Sequence, residues 1–155
     1  MKLPKNIAID IGWTLKGVRK DNDRNKTAPD SFRVVRHLVN QGHNVFLISK
    51  VNSRQKEDVE RWLENVNFFN ETGVKPENLF FCFERKDKGI FVKALDIDIM
   101  IDDRAEVMAH LPARVTKFLL NPEEDDLNHH RAALTKVFMV SDWMEIERLL
   151  WEQHL

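Results

Sequence analysis

Residues 7–14 read Ile-Ala-Ile-Asp-Ile-Gly-Trp-Thr, a short apolar run that ends in an aspartate followed by a glycine and a threonine. Similar apolar runs recur along the chain, and longer segments with a helical spacing of apolar residues separate them. The runs are nearly continuous rather than alternating, which is typical of strands buried on both faces of a parallel sheet. The predicted strands lie at residues 7–9, 45–48, 79–83, 97–101, 118–120 and 137–140.

Amphipathic helices are predicted between these strands. Asp30 is a candidate N-cap for the first helix, Ser53 for the second, and Asp87 precedes the third. Asp142, with Glu145 three residues later, resembles a capping box before the last helix. The repeated order of strand, helix and strand predicts a three-layer, doubly wound α/β fold, Rossmann-like, with right-handed crossovers.

The composition limits the functional classes. The 155 residues include 24 Lys and Arg against 25 Asp and Glu, which gives a formal net charge of −1. No general basic field therefore exists to hold nucleic acid, and a nucleic-acid partner is not expected. The single cysteine, Cys82, cannot form an internal disulfide, which favours a reducing compartment. No apolar stretch is long enough for a bilayer, so we expect one cytoplasmic domain over residues 1–155 without membrane contact.

Two segments depart from the alternation and are interpreted as loops. Residues 15–29 are rich in Lys and Arg and form either a solvated hairpin or a flap that attracts an anionic substrate. Residues 121–131 are acidic and contain His129 and His130. We do not expect a second metal site there, because adjacent side chains rarely point the same way.

Several predicted strands are followed by polar side chains that could bind a ligand or take part in catalysis. Asp10, Ser49 and the pair Asp102-Asp103 end strands, and Lys88 opens a helix. In a doubly wound sheet, ligands bind beyond the carboxyl ends of the strands. Carboxylates from two strands suit Mg²⁺, a neighbouring hydroxyl and ammonium suit phosphate oxygens, and an aspartate there can act as a nucleophile. Taken singly, each residue can also be a cap, a turn residue or a solvated charge, so the prediction depends on the set.

The same residues, in this order, resemble the motifs of the haloacid dehalogenase (HAD) superfamily, phosphohydrolases that form an aspartyl intermediate. Its first motif, Asp-x-Asp-x-Thr after hydrophobic residues, is similar to residues 10–14. Its second, a hydrophobic strand that ends in Ser or Thr, is similar to residues 45–49. Its third is a lysine at a helix start, which Lys88 in Lys-Gly-Ile-Phe fits best, and its fourth, paired acids after a strand, is similar to residues 99–103.

The resemblance implies a metal site. Asp10 would be both the nucleophile and a ligand of Mg²⁺. The backbone carbonyl of Gly12 and the carboxylate of Asp102 would complete the ligands that the protein supplies. Asp103 would support the ion through a water molecule.

The resemblance also implies how a substrate is held. Ser49 and Lys88 would bind the transferring phosphoryl group, with Lys86 and Lys93 as alternatives for the lysine. The connections after the first two strands are too short for a helical cap, which implies a capless HAD-like domain with an open site. Capless relatives act on large substrates or borrow a cover from a partner subunit. The expected partners are therefore a phosphorylated small molecule or macromolecule, and a homo-oligomer is an option.

Gly12 departs from the family pattern. The family's phosphatases have an aspartate at this position, which protonates the leaving group and then activates water. Positioned acid–base catalysis is typically worth about 10²–10⁴-fold, so we expect a Mg²⁺-dependent phosphohydrolase that is slow or specialised for a good leaving group. The alternative is a catalytically inactive HAD-like protein that binds a phosphorylated ligand or protein partner. Trp13 is a second departure, because that position is usually small.

Overall fold

Six parallel strands form one sheet in the computed structural model, which describes residues 3–17 and 26–154. They are β1 (Asn6–Ile9), β2 (Asn44–Lys50), β3 (Leu79–Cys82), β4 (Ile99–Asp102), β5 (Thr116–Leu120) and β6 (Val137–Val140). Their order across the sheet is β3-β2-β1-β4-β5-β6. The chain therefore winds outward in both directions from the β1–β4 pair, where doubly wound folds bind ligands. The predicted three-layer, doubly wound α/β fold is confirmed.

Helices cover both faces of this sheet. They are α1 (Ser31–Asn40), α2 (Ser53–Asn65), α3 (Phe68–Thr72), α4 (Lys88–Ala94), α5 (Ala105–Met108), α6 (Glu124–His129) and α7 (Trp143–Leu149). Short 3₁₀ turns lie at Pro76–Asn78, Arg85–Asp87 and Arg131–Leu134, and a π-helical turn follows at Leu150–His154. No helix in the described ranges is long and apolar enough to cross a membrane.

Successive residues of the central strands alternate between two buried faces. Ile7 and Ile9 of β1 belong to an apolar cluster with residues of α1, α2, α3 and α7. Ala8 belongs to a second cluster with residues of α4 and α5. Burial on both faces explains the continuous apolar runs. The prediction of two buried faces is wrong for the edge strands, since β3 is largely half-buried and Met139 of β6 is 51% exposed.

The acidic segment 121–131, interpreted from the sequence as a loop, contains α6 and the start of a 3₁₀ turn. Acidic residues in the first turn of a helix interact favourably with its dipole, which favours α6 despite its polar composition. Of the basic segment 15–29, residues 18–25 lie outside the described residues, so the predicted hairpin or flap is not described by the structure.

Helix caps were predicted with mixed success. The Asp142 side chain accepts a hydrogen bond from the backbone N–H three residues later at 2.9 Å, as predicted. Asn52 rather than Ser53 caps α2, in a reciprocal capping box. Asp30 and Asp87 precede α1 and α4, but neither carboxylate makes a capping hydrogen bond in the described structure. Asp30 has a left-handed backbone, and Asp87 already belongs to a 3₁₀ turn.

Candidate active site

The adjoining ends of β1 and β4 bring three carboxyl groups together. Asp10 follows β1, Asp102 ends β4 and Asp103 comes next, and all three are buried. The backbone N–H of Asp10 donates to the Ile101 carbonyl at 3.0 Å, which joins the two strand ends. One oxygen of each carboxyl group lies within 4.8 Å of the others. The structure thus assembles the acids that the sequence analysis selected.

Lys88 lies between two of these acids. Its Nζ donates to Asp10 Oδ1 at 2.8 Å and to Asp102 Oδ2 at 2.7 Å, and its side chain is 2% exposed. Burial disfavours the charged ammonium, but the two carboxylates outweigh burial and raise the pKa of Lys88. The alternatives Lys86 and Lys93 are exposed, so of the three lysines the structure brings only Lys88 to the carboxyl groups.

The buried environment of Asp102 makes its carboxyl group a weaker acid than it would be in water. Burial and the charge of Asp10 raise the pKa of Asp102 to about 6, although Lys88 acts in the opposite direction. Its Oδ1 also accepts a hydrogen bond from the backbone N–H of Arg104 at 3.1 Å. Three carboxyl groups and one ammonium share the site, so added positive charge would be favoured there.

The turn after β1 fixes the orientation of Asp10. The Thr14 hydroxyl donates to Asp10 Oδ2 at 3.0 Å. The indole N–H of Trp143, at the start of α7, donates to the Thr14 carbonyl at 2.9 Å, and both residues are buried. The sequence analysis did not find the role of Trp143, because its partner is distant in sequence and no local pattern marks the contact.

Gly12, which is half-buried, and Trp13, which is exposed, belong to this turn. A Cβ added at Gly12 would have no atom within 4 Å among the described residues, so a side chain at this position meets open space in that part of the chain. Trp13 has a left-handed backbone with φ of 58°, and the residue is 43% exposed. A bulky residue in that conformation costs on the order of 1–3 kcal/mol.

Ser49 lies at the same edge of the sheet. The register pairs Leu47 of β2 with Ile9 of β1, which places Ser49 two residues beyond that pair, at the carboxyl end of β2. Ser49 is buried, and its carbonyl accepts a weak hydrogen bond from Cys82 Sγ at 3.8 Å. The structure therefore places this serine on the strand next to the nucleophile candidate.

Asp126 is a residue that the sequence analysis missed. Its carboxylate accepts hydrogen bonds from the backbone N–H groups of Ala105 at 2.5 Å and Glu106 at 3.2 Å. It also lies near Arg104 and His130, at 4.0 and 3.9 Å. The residue types of a metal site are present in Glu106, Asp126 and His130. Both carboxylate oxygens of Asp126, however, already accept hydrogen bonds from backbone N–H groups at the start of α5. Asp126 thus positions the loop that follows the site's acids.

Replacing Lys88 by methionine should destabilise the fold by about 3–5 kcal/mol, because two buried carboxyl groups then lose their shared cation. Denaturant unfolding of the Lys88→Met protein measures the change. Lys86→Met, which removes an exposed lysine paired with Glu84 at 3.1 Å, should leave the free energy of unfolding nearly unchanged, because solvent screens exposed ion pairs. Equal effects of the two substitutions would contradict the central position of Lys88.

No family model matches the chain. A "Putative nucleotidase" of Oceanobacillus iheyensis is 22% identical over 117 residues, which are 76% of this chain and 59% of that protein. The chain therefore spans less than two thirds of the length of this curated relative.

Solved structures match more extensively. The crystal structure of D,D-heptose 1,7-bisphosphate phosphatase from B. bronchiseptica, complexed with magnesium and phosphate, has a TM-score of 0.68 and 11% identity. The match covers 96% of this chain and 99% of that one. A "putative haloacid dehalogenase-like hydrolase" from Burkholderia xenovorans LB400 has a TM-score of 0.56 and 12% identity, with 76% of this chain and 56% of that one covered. The chain therefore has the HAD-like fold, without a cap domain in the part that the structure describes.

Proposed function

We propose that the chain is a Mg²⁺-dependent phosphohydrolase that transfers a phosphoryl group to Asp10 and then to water. The convergence of Asp10, Asp102 and Asp103 around the buried Lys88, at the β1–β4 switch point, carries the proposal. The heptose bisphosphate phosphatase, whose crystals contain magnesium and phosphate, supports it as a protein of the same fold.

The donor atoms at the site fit a hard divalent cation. Carboxylate oxygens of Asp10 and Asp102, with the Gly12 carbonyl, are the ligand type that Mg²⁺ prefers, and Asp103 is close enough to support the ion through water. Bound Mg²⁺ would neutralise negative charge on the transferring phosphoryl group.

The residues of the chain then have distinct tasks. Hydrogen bonds from Thr14 and Lys88 hold the two oxygens of Asp10, which orients the carboxylate for attack on phosphorus. The ammonium of Lys88 has three N–H donors, and two are used by Asp10 and Asp102, so one is left for a phosphoryl oxygen. The Ser49 hydroxyl is the second phosphoryl ligand.

The lack of an acidic side chain at Gly12 favours a second candidate function, in which the pocket binds a phosphorylated molecule. Without an acid at this position, the pocket can bind a phosphorylated ligand or a phosphorylated protein partner and turn it over slowly or not at all. The two functions share the same residues and differ only in whether the phosphorus–oxygen bond is broken.

Comparison of the natural chain with Asp10→Asn separates the two functions. With phenyl phosphate and Mg²⁺, we expect phosphate release by the natural chain and its loss in the variant, because an amide is not a nucleophile for this step. Phosphate release is followed colorimetrically, and phenylphosphonate binding shows that the variant pocket is intact. Binding by both proteins with no release by either would favour the second function.

Magnesium should stabilise the folded chain. If the ion binds only the folded state, about 100 times its dissociation constant adds about 2.7 kcal/mol to the free energy of unfolding. The melting temperature should therefore rise with Mg²⁺ in the natural chain and not in Asp102→Asn. Asp58→Asn, which changes an acid that is 59% exposed, should keep the rise. A melting temperature that is independent of Mg²⁺ in the natural chain would exclude the metal site.

Gly12→Asp should restore an acid and base beside Asp10. Among the residues that the structure describes, no atom lies within 4 Å of the added Cβ, and positioned proton transfer should raise kcat for an alkyl phosphate by about 10²–10⁴-fold. Gly12→Asn, which has nearly the same shape and cannot transfer the proton, is the matched control. A Gly12→Asp protein that folds, binds Mg²⁺ and still hydrolyses nothing would support the binding function instead.

A further inference from the structure

Arg104 follows the paired acids of the candidate site. Its backbone N–H donates to Asp102 Oδ1 at 3.1 Å, and the other oxygen of Asp102 accepts a hydrogen bond from Lys88 at 2.7 Å. Lys88 also donates to Asp10 at 2.8 Å. One lysine thus joins the nucleophile candidate to the carboxylate that holds the Arg104 backbone. Arg104 therefore lies beside the site, at the carboxyl edge of the sheet.

The guanidinium of Arg104 lacks a hydrogen-bond partner at its inner nitrogen. The side chain is 27% exposed, and Nε is buried without a partner. Two more exposed arginines are better paired, since Arg33 donates to Glu147 at 2.9 Å and Arg114 donates to the Ile97 carbonyl at 3.1 Å. A buried donor without a partner costs free energy. Packing within the described chain therefore does not explain this arginine.

Two acids near Arg104 already have other partners. Asp126 lies 4.0 Å from Arg104 Nε, which is beyond hydrogen-bond distance, and its two oxygens accept the backbone N–H groups of Ala105 and Glu106. The Glu106 carboxylate is 3.5 Å from the guanidinium of Arg85. A guanidinium has five N–H donors in a planar fork. The donors of Arg104 are therefore available to a ligand.

The charge of the site indicates what kind of ligand group Arg104 suits. The carboxyl groups of Asp10, Asp102 and Asp103 lie around the ammonium of Lys88. They would repel a second negative group on a ligand unless that group had a cation of its own. Arg104 is such a cation, and its fork matches the oxygens of a carboxylate or a phosphate.

We propose that Arg104 binds a second anionic group, a carboxylate or a phosphate, on a ligand whose transferring phosphoryl group lies at Asp10. The proposal rests on the proposed function of the site and names its ligand class, phosphate esters with a second negative group. Two observations carry it. The hydrogen bond to Asp102 places Arg104 beside the phosphoryl site, and the unpartnered Nε leaves its guanidinium without a hydrogen bond inside the described chain.

Phosphonates that cannot be hydrolysed test the second charge. 3-Phosphonopropionate carries a carboxylate, propane-1,3-diphosphonate carries a second phosphonate, and propylphosphonate has an uncharged tail. A longer pair, 5-phosphonopentanoate and pentylphosphonate, places the carboxylate further from phosphorus. In calorimetric titrations at constant free Mg²⁺, the natural chain should bind a charged ligand at least about tenfold more tightly than the uncharged ligand of the same length.

The same titrations identify the second anion and can refute the proposal. Tighter binding of the carboxylates assigns Arg104 to a carboxylate, and tighter binding of the diphosphonate assigns it to a phosphate. Equal or weaker binding of every charged ligand, compared with its uncharged counterpart, would overturn the proposal, since repulsion by the acids of the site would then be uncompensated.

Two variants without the charge test Arg104 itself. In Arg104→Met and Arg104→Gln, the preference for the charged ligand should be lost, whereas a purely structural role would change the affinity for charged and uncharged ligands by the same factor. Arg114→Met is the matched control, because Arg114 precedes β5 at the opposite edge of the sheet, and it should keep the preference. A preference that persists in either folded Arg104 variant would overturn the proposal.

Turnover distinguishes failure of this proposal from failure of the phosphohydrolase function. The matching esters are 3-phosphooxypropionate and propyl phosphate. A charged-ligand preference in binding that is lost in Arg104→Met, without phosphate release from either ester, supports the anion site and contradicts the hydrolase. Phosphate release from both esters with equal kcat/KM, together with equal phosphonate affinities, overturns the anion site and supports the hydrolase.

Discussion

The ammonium of Lys88, buried between Asp10 and Asp102, is the interaction on which the rest of the site depends. Two carboxyl groups at the ends of adjacent buried strands would repel each other, and burial would raise the cost further. The helix that carries Lys88, α4, lies close to the segment that follows α5. Residue 89 is glycine, and a Cβ there would be 2.5 Å from the His110 carbonyl oxygen. Gly89, next to Lys88, therefore allows α4 to approach the His110 backbone closely.

The sequence predicts the sheet well because parallel strands covered on both faces must be continuously apolar, and the acids stand out where these runs stop. Asp10 and Asp102 could be placed at one edge without knowing the strand order, since carboxyl ends of parallel strands share an edge. The β1–β4 adjacency that brings them into contact was not predictable from spacing, because it depends on how the chain winds around the sheet.

What the sequence analysis missed depends on contacts between distant segments. α5 has only four residues, too few to form alone, and it exists because Asp126 of α6 accepts the N–H groups of its first two residues. Trp143 is buried at the start of α7, and its hydrogen bond to the Thr14 carbonyl links α7 to the turn that orients Asp10. No local pattern encodes either bond.

Some residues of the site are needed for the stability of the fold and others only for activity, and the two kinds differ in how strongly they support a function. Asp102 and Lys88 would be retained by the fold alone, since removing one member of a buried ionic group is strongly destabilising. Their presence therefore supports the metal and phosphate site that both proposed functions share, and does not by itself distinguish turnover from binding. Gly12 is a different case, because a Cβ there would meet no atom within 4 Å among the described residues, so packing in that part of the chain does not explain the missing side chain. The identity of residue 12 therefore says more about turnover than the buried ionic group does, since a proton donor at this position is what separates the two proposed functions.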